Sequence, residues 1–366
     1  MSEKLVMSEK LLNDGLALER ASGFSHIAGR REFLGGLAAL GASALIPGVS
    51  SLAQAPAAVK PFRIDVHYHF SSPKFIEAIT KRNTGQKPLM EWTPAKAIEA
   101  MDRDGVATSV MSTSEPGVYF GDKDAARGLA REINEYGARL MADHPGRFGL
   151  FAILPLPDVD GALREIEYAF DTLKADGAGF MTSYQGKYLG DPAFAPVMDE
   201  LNRRKAVVYT HPFRAECCVN LLPDNRAMGI TLVNDTTFTI TSVLHSGTAA
   251  RCPNIRFIWS HGGGTMPYII GRVGGNTPAS PVFPQGAMYE IQKFYYDTAQ
   301  AVSAPTLAAL TRVVPKSHIL FGTDYPFATA ETNAKGLRDY GELSATDIRA
   351  IERDNSLPLF PRLKTS

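Results

Sequence analysis

From about residue 60 onward, apolar positions fall into two alternating patterns. Short runs rich in β-branched and aromatic side chains, bounded by turn residues, predict buried strands at 62–66, 106–111, 147–152, 178–181, 206–210, 255–260, 294–296 and 318–321. Between them, apolar residues recur every three or four positions, predicting amphipathic helices that include 95–104, 125–143, 161–175 and 194–204. Asp158 and Asp191 stand where helix N-caps belong, and Asp191-Pro192 reads as a cap followed by a first-turn proline. Eight strand–helix units in roughly 300 residues predict an α/β fold, a (β/α)8 TIM barrel. A doubly wound sheet would place a glycine-rich turn after its first strand, whereas here that place holds His67-Tyr68-His69. No low-complexity linker interrupts the pattern, so 56–366 reads as one barrel domain.

The first 55 residues follow neither pattern. Arg30-Arg31 precedes an uncharged, Gly/Ala-rich stretch over 34–49, which leads to the small-residue site Ala53-Gln54-Ala55. That order resembles a twin-arginine (Tat) export signal, so 1–55 reads as a leader cleaved before Pro56. The expected destination is the periplasm through the Tat machinery, with the cytoplasm as the alternative. An uncharged run of this length falls short of the roughly 20 residues of a spanning helix. Met7 repeats the opening motif of Met1 and is an alternative start.

Composition narrows the function further. With 38 basic and 38 acidic side chains the chain is neutral, which removes the general cationic surface that nucleic acid requires. The 3 cysteines, of which Cys217 and Cys218 are adjacent, cannot supply a disulfide framework.

In a barrel, whatever follows each strand lies at the C-terminal mouth. Strand one runs into His67 and His69, strand five into His211, strand six into His261 and strand eight into Asp324. Residues at i and i+2 of a strand point the same way, so His67 and His69 can reach one ion together. With His211 and Asp324 they make three neutral imidazoles and one carboxylate, a set that suits one Zn2+ and leaves a position for water. Singly, each has a structural reading as a strand-end histidine or a turn aspartate; their joint placement favours the metal. His261, in Ser260-His261-Gly262-Gly263-Gly264, reads as a group that exchanges protons near neutral pH, or as a fourth imidazole ligand. Strand four ends in Met181-Thr182-Ser183 without a lysine to bridge two ions, and Lys187 lies too far along, so one ion is expected. His144, His245 and His318 read as structural.

Five segments then carry a resemblance. They are Ile64-Asp65-Val66-His67-x-His69, Tyr188-Leu189-Gly190-Asp191-Pro192-x-Phe194, Val208-Tyr209-Thr210-His211-Pro212, Phe257-Ile258-Trp259-Ser260-His261-x-Gly263-Gly264 and Leu320-Phe321-Gly322-Thr323-Asp324-Tyr325-Pro326. Together they resemble the amidohydrolase-related group that includes aminocarboxymuconate-semialdehyde, 5-carboxyvanillate and 6-methylsalicylate decarboxylases. The resemblance implies that His67, His69, His211 and Asp324 hold one divalent metal, usually zinc. It makes His261 the catalytic acid/base, counts Asp324 among the catalytic residues, and implies that Arg272 reaches the substrate carboxylate of the neighbouring subunit in a homodimer. Phe238 departs from the group, since many relatives place an arginine there, and so does the Tat-like leader. The implied activity is non-oxidative decarboxylation of a small aromatic or unsaturated carboxylic acid. Metal-dependent hydrolysis of a lactone, ester or amide is the alternative, and an exported non-catalytic metal-dependent binding protein is a third reading.

Overall fold

Eight parallel strands form the centre of the protein: β1 (Arg63–His69), β2 (Val106–Ser112), β3 (Phe148–Ile153), β4 (Gly177–Met181), β5 (Val207–His211), β6 (Arg256–Trp259), β7 (Tyr295–Asp297) and β8 (Ile319–Leu320). The computed structural model describes residues 61–214, 218, 222 and 227–365. The leader, with Arg30, Arg31 and Ala53-Gln54-Ala55, lies outside them, as does Cys217. Each strand pairs with its sequence neighbour, and the seam between β8 and β1 is closed by backbone hydrogen bonds. Val66 N–H donates to Phe321 O at 3.0 Å, Asp324 N–H to His67 O at 2.8 Å and His69 N–H to Tyr325 O at 2.8 Å. The expected (β/α)8 barrel is therefore the fold.

A helix follows each strand: α1 (Pro94–Arg103), α2 (Lys123–Asp143), α3 (Val159–Asp171), α4 (Ala195–Arg203), α5 (Met228–His245), α6 (Ala287–Lys293), α7 (Ala304–Val313) and α8 (Ala330–Asp339). Their starts follow local chemistry. Thr93, Asp122, Ser303 and Thr329 each accept a backbone N–H of the first turn, and proline opens α1 and α7 where a missing N–H costs nothing. Asp191 caps a 3-10 turn, Pro192–Phe194, that leads into α4. Asp158 holds the N-cap position of α3, but its carboxylate pairs with Arg127 instead of capping.

Alternation along the strands divides the apolar side chains into two cores. Val66, Val110, Phe151, Tyr209, Ile258 and Leu320 cluster with Leu359, Phe360 and Leu363 of the C-terminal segment. Phe257 and Trp259, which flank Ile258 and point the other way, join the larger cluster with Ile240, Val243 and Leu244 of α5.

Every strand is shifted or resized by at least one residue from its expected range, and the shifts at β1, β7 and β8 bear on the site and its histidines. β1 continues to His69 because its pairing with β2 extends to Ser112, so both histidines lie within the strand. β7 continues to Asp297, which pairs with Leu320. His318 does not start β8 but closes a preceding 3-10 turn, Lys316–His318.

Candidate metal centre and active site

At the carboxyl ends of the strands, ligand atoms of His67, His69, His211 and Asp324 all lie within 4.8 Å of one another, and all four residues are buried. The other ring nitrogen of each histidine is committed elsewhere, and this fixes which nitrogen faces the centre. His67 Nδ1 donates to Asp297 Oδ2 at 2.8 Å, and His211 Nδ1 donates to the carbonyl of Pro212 at 3.0 Å. His69 Nδ1 lies 3.1 Å from Ser112 Oγ, whose own hydrogen goes to the carbonyl of Tyr68, so the imidazole is the donor. Each Nε2 therefore carries its lone pair toward the common centre, the tautomer a metal ligand needs.

His67 Nε2 is buried and makes no hydrogen bond among the described residues; it lies 3.3 Å from Asp324 Oδ1, which sits 3.0 Å from His69 Nε2. Asp297 and Asp324 bring two carboxylates into a buried cluster of otherwise neutral rings. A divalent cation would satisfy the orphaned nitrogen and neutralise both acids, so this donor set fits a metal ion.

The electrostatics register the negative charge that a cation would meet: with the cation His67 is a neutral ligand, and without it a proton takes the cation's place. Burial disfavours protonated His67, but the charges of Asp297 and Asp324 outweigh it and lift the imidazole to about 10. Burial holds His69 below its ordinary value and His211 well below. Asp324 is kept far under the usual carboxylate range by His67 and His69, which overcome its own burial. Beneath the ligands, burial raises Asp65 to about 7 despite hydrogen bonds from Thr323 and the His67 N–H.

Two site residues adopt backbone conformations that L-residues rarely take. His261 has φ 52° and Asp324 φ 68°, and such strain persists only where the surroundings over-determine it. For His261 the restraint is visible: its N–H donates to Asp297 Oδ1 at 3.0 Å and its Nδ1 to the Ala299 carbonyl at 2.9 Å. Its ring centroid lies 4.7 Å from that of His67 and 5.9 Å from that of His211, and the ring lines the cavity. Gly322 makes the packing behind the centre possible, because a Cβ there would come within 2.8 Å of His67 Cβ and 3.0 Å of Asp297 Cβ.

The cavity at this mouth has a volume of about 670 Å3. His211, His261, Asp324 and Gln300 supply polar groups, Met228, Leu232, Val233 and Phe327 supply apolar surface, and Ser114 and Glu115 add further polar groups. That volume is large enough for a small ring and its substituents.

Arg272 stands apart from the cavity in its own chain. It is exposed on a short helix, Ile270–Val273, after the glycine loop. That loop packs on α5, where Thr237 and Thr265 hydroxyls lie 2.9 Å apart, and Tyr268 (85% exposed) and Phe238 (53% exposed) lie on the loop and on α5. Thr182, at the end of β4, bonds Asp235 of α5, as does the Tyr188 hydroxyl at 2.8 Å. The Tyr188-to-Phe194 segment thereby ties the β4 loop to α5. The other described histidines are away from the centre: His245 bonds the Val273 carbonyl, His318 the Phe294 carbonyl, and His144 caps α2 against Phe148.

Sequence reasoning missed three participants. Asp297 ends β7 and could have been found by the same strand-end logic as the ligands. Gln300, with φ 51°, donates to Asp324 Oδ2, and Glu115 lies in the loop after β2; neither belongs to a pattern that spacing reveals.

Residues 64–362 match a family model described as Amidohydrolase. The chain is 36% identical over 333 residues to decarboxylase yanB of Aspergillus niger, covering 82% of this chain and 88% of that protein. It is 37% identical over 325 residues to the 6-methylsalicylic acid decarboxylase acuB of Aspergillus aculeatus, covering 82% and 97%. Among solved structures, a dihydroxybenzoic acid decarboxylase from Polaromonas sp. JS666 with bound manganese and the inhibitor 2-nitroresorcinol has a similar fold. Its TM-score is 0.71 at 22% identity, covering 82% of this chain and 97% of that one.

Proposed function

Because the chain belongs to the amidohydrolase family, we propose that it catalyses metal-dependent, non-oxidative decarboxylation of a small aromatic or related unsaturated carboxylic acid. The observation that carries this reading is the buried cluster of three Nε2 atoms and one carboxylate at the floor of a ring-sized cavity, in a chain whose relatives include named decarboxylases. His67, His69, His211 and Asp324 hold one divalent ion. Bound there, it supplies Lewis-acid polarisation of the substrate. Zinc is the proposed ion because imidazole nitrogen dominates the set, with manganese, the ion of the Polaromonas structure, as the competitor.

His261 is the acid/base. Its Nδ1 hydrogen is committed to the Ala299 carbonyl, so Nε2 is the atom that gives up or takes a proton in the cavity. That proton goes to the ring carbon bearing the carboxylate and a C–H bond forms. The bond to the carboxylate then breaks, its electron pair returns to the ring, and CO2 leaves. Solvent reprotonates His261. The apolar wall from α5 holds the ring and keeps bulk water from it.

The test runs a panel of aromatic acids in D2O. One deuterium at the former carboxylate position and one CO2 per turnover are expected, and His261→Ala protein should keep its metal and lose turnover. Release of an acid carrying solvent 18O, with no CO2 from any member, would establish the hydrolytic alternative instead.

Two further readings complete the proposal. Arg272 clamps the carboxylate of a substrate in the neighbouring subunit of a homodimer, a role that its planar fork suits. Its exposure, on a surface that also exposes Tyr268 four residues earlier in the chain, supports this. Mixing inactive Arg272→Ala and His261→Ala chains should restore activity; no recovery despite subunit exchange rejects it. The leader directs Tat export to the periplasm, supported by Arg30-Arg31 and Ala53-Gln54-Ala55. N-terminal sequencing of the periplasmic protein should begin at Pro56, and a periplasmic chain still starting at Met1 or Met7 removes the cleavage step.

A further inference from the structure

Glu115 lines the active cavity on the loop after β2, yet it has no part in the chemistry above. It is 7% exposed, and its two carboxyl oxygens are unequally served. Oε1 accepts from Arg214 Nε at 3.1 Å, while Oε2 is sealed from solvent and has no hydrogen-bond partner among the described residues. A buried carboxyl oxygen left unpaired carries its full desolvation penalty. Burial also raises this carboxyl above its ordinary range, against the pull of Arg214. Ser114, 2% exposed, adds a hydroxyl to the same stretch of wall. Polar groups thus line the cavity away from the metal floor as well: the buried Ser114–Glu115 loop, and Gln86, Thr265 and Thr306, of which Glu115 alone is a carboxylate. The terminal torsion of a glutamate is broad and roughly two-fold, so the carboxylate of this cavity-lining residue can turn toward a ligand at little cost.

We propose that Glu115 is a specificity-determining residue that accepts a hydrogen bond from a neutral donor on the substrate ring, a hydroxyl or amino group distinct from the groups at the metal floor. The inference rests on the decarboxylase reading of the same cavity. It narrows the substrate to aromatic acids with a second, donor-bearing substituent. It also excludes a second carboxylate at that position, because two anions in a low-dielectric wall repel.

The test measures binding by calorimetry to zinc-loaded protein, using 2,4- and 2,5-dihydroxybenzoate, the corresponding mono-O-methyl ethers and plain salicylate. Wild-type protein should bind one dihydroxy isomer about tenfold to a hundredfold more tightly than its ether and salicylate, the range for a hydrogen bond to a charged group. Glu115→Met should reduce that preference to within about twofold, and Glu115→Gln, which keeps the shape and one neutral acceptor, should reduce it to an intermediate value. No preference in the wild type, or an unchanged preference in either variant, overturns the proposal; should the Met variant not fold, the Gln variant alone decides. Since calorimetry reads affinity without turnover, failure to evolve CO2 would count against the decarboxylase reading and not against Glu115.

Discussion

Replacing Asp297 by asparagine alters one atom and should damage the metal centre without dismantling the barrel. Asp297 is fully buried; Oδ1 accepts the N–H groups of His261 and Ala299, each at 3.0 Å, and Oδ2 accepts from His67 Nδ1. In Asp297→Asn the amide oxygen keeps the two backbone donors, which turns the NH2 group toward His67. That NH2 can only donate, so His67 Nδ1 must become an acceptor and its proton must move to Nε2, the atom that faces the centre. The wrong tautomer cannot ligate. Loss of such a supporting group typically weakens metal binding about 10- to 100-fold, or roughly 1.4–2.7 kcal/mol. Asp297→Ala should do worse, since three buried N–H groups would lose their acceptor at about 1–3 kcal/mol each. Competition for zinc with a chromophoric chelator measures the first effect, and urea unfolding of the metal-free proteins measures the second. An Asp297→Asn protein that folds normally and binds zinc as tightly as the wild type would refute the tautomer argument.

Other substitutions test separate parts of the fold. His211→Ala should abolish the zinc-dependent rise in melting temperature, which in the wild type corresponds to about 2.7 kcal/mol at a hundredfold excess over Kd; a retained rise would mean that the ion is held elsewhere. Gly190→Ala should lower stability by about 1–3 kcal/mol in urea unfolding, because its Cβ would collide with the Ser242 backbone of α5. The Glu200 carboxyl is depressed from 4.5 to about 2 by its hydrogen bond to Arg203 and then by Arg204, so its stabilisation is present above pH 4.5 and disappears as pH falls through about 2. Glu200→Gln should therefore be less stable by about 1 kcal/mol at pH 7, a figure discounted for solvent screening, and match the wild type near pH 2; a pH-independent gap would assign the loss to packing.

The parts of this protein that sequence reveals are those that repeat. Eight alternations of strand and helix identified the barrel, and the rule that strand ends meet at one mouth brought His67, His69, His211 and Asp324 together from distant segments. Asp297 escaped by one position: Tyr295 and Tyr296 look like strand, an aspartate looks like a turn, and only the pairing with Leu320 carries β7 onward. Both aspartates hold the N-cap positions expected of them, but only the Asp191 carboxylate makes the capping bond, because Arg127, on a different helix, takes that of Asp158. Glu115 and Gln300 gain their positions from loop paths, which no periodicity encodes.

The seam between β1 and β8 has a consequence for biosynthesis. His69 and Asp324 are separated by 255 positions, yet they meet across the closure, where Asp324 N–H bonds the His67 carbonyl. On the ribosome, the first strand waits with its histidines exposed until almost the whole chain has emerged. A nascent chain shorter than this carries at most three of the four ligands and has no closed wall to hold them. The four-ligand site exists only on the finished ring, so an ion held by all four would act as a latch on that ring rather than a seed for its assembly. An ion that binds this closed set more tightly than any partial one would selectively stabilise molecules whose first and last strands have met.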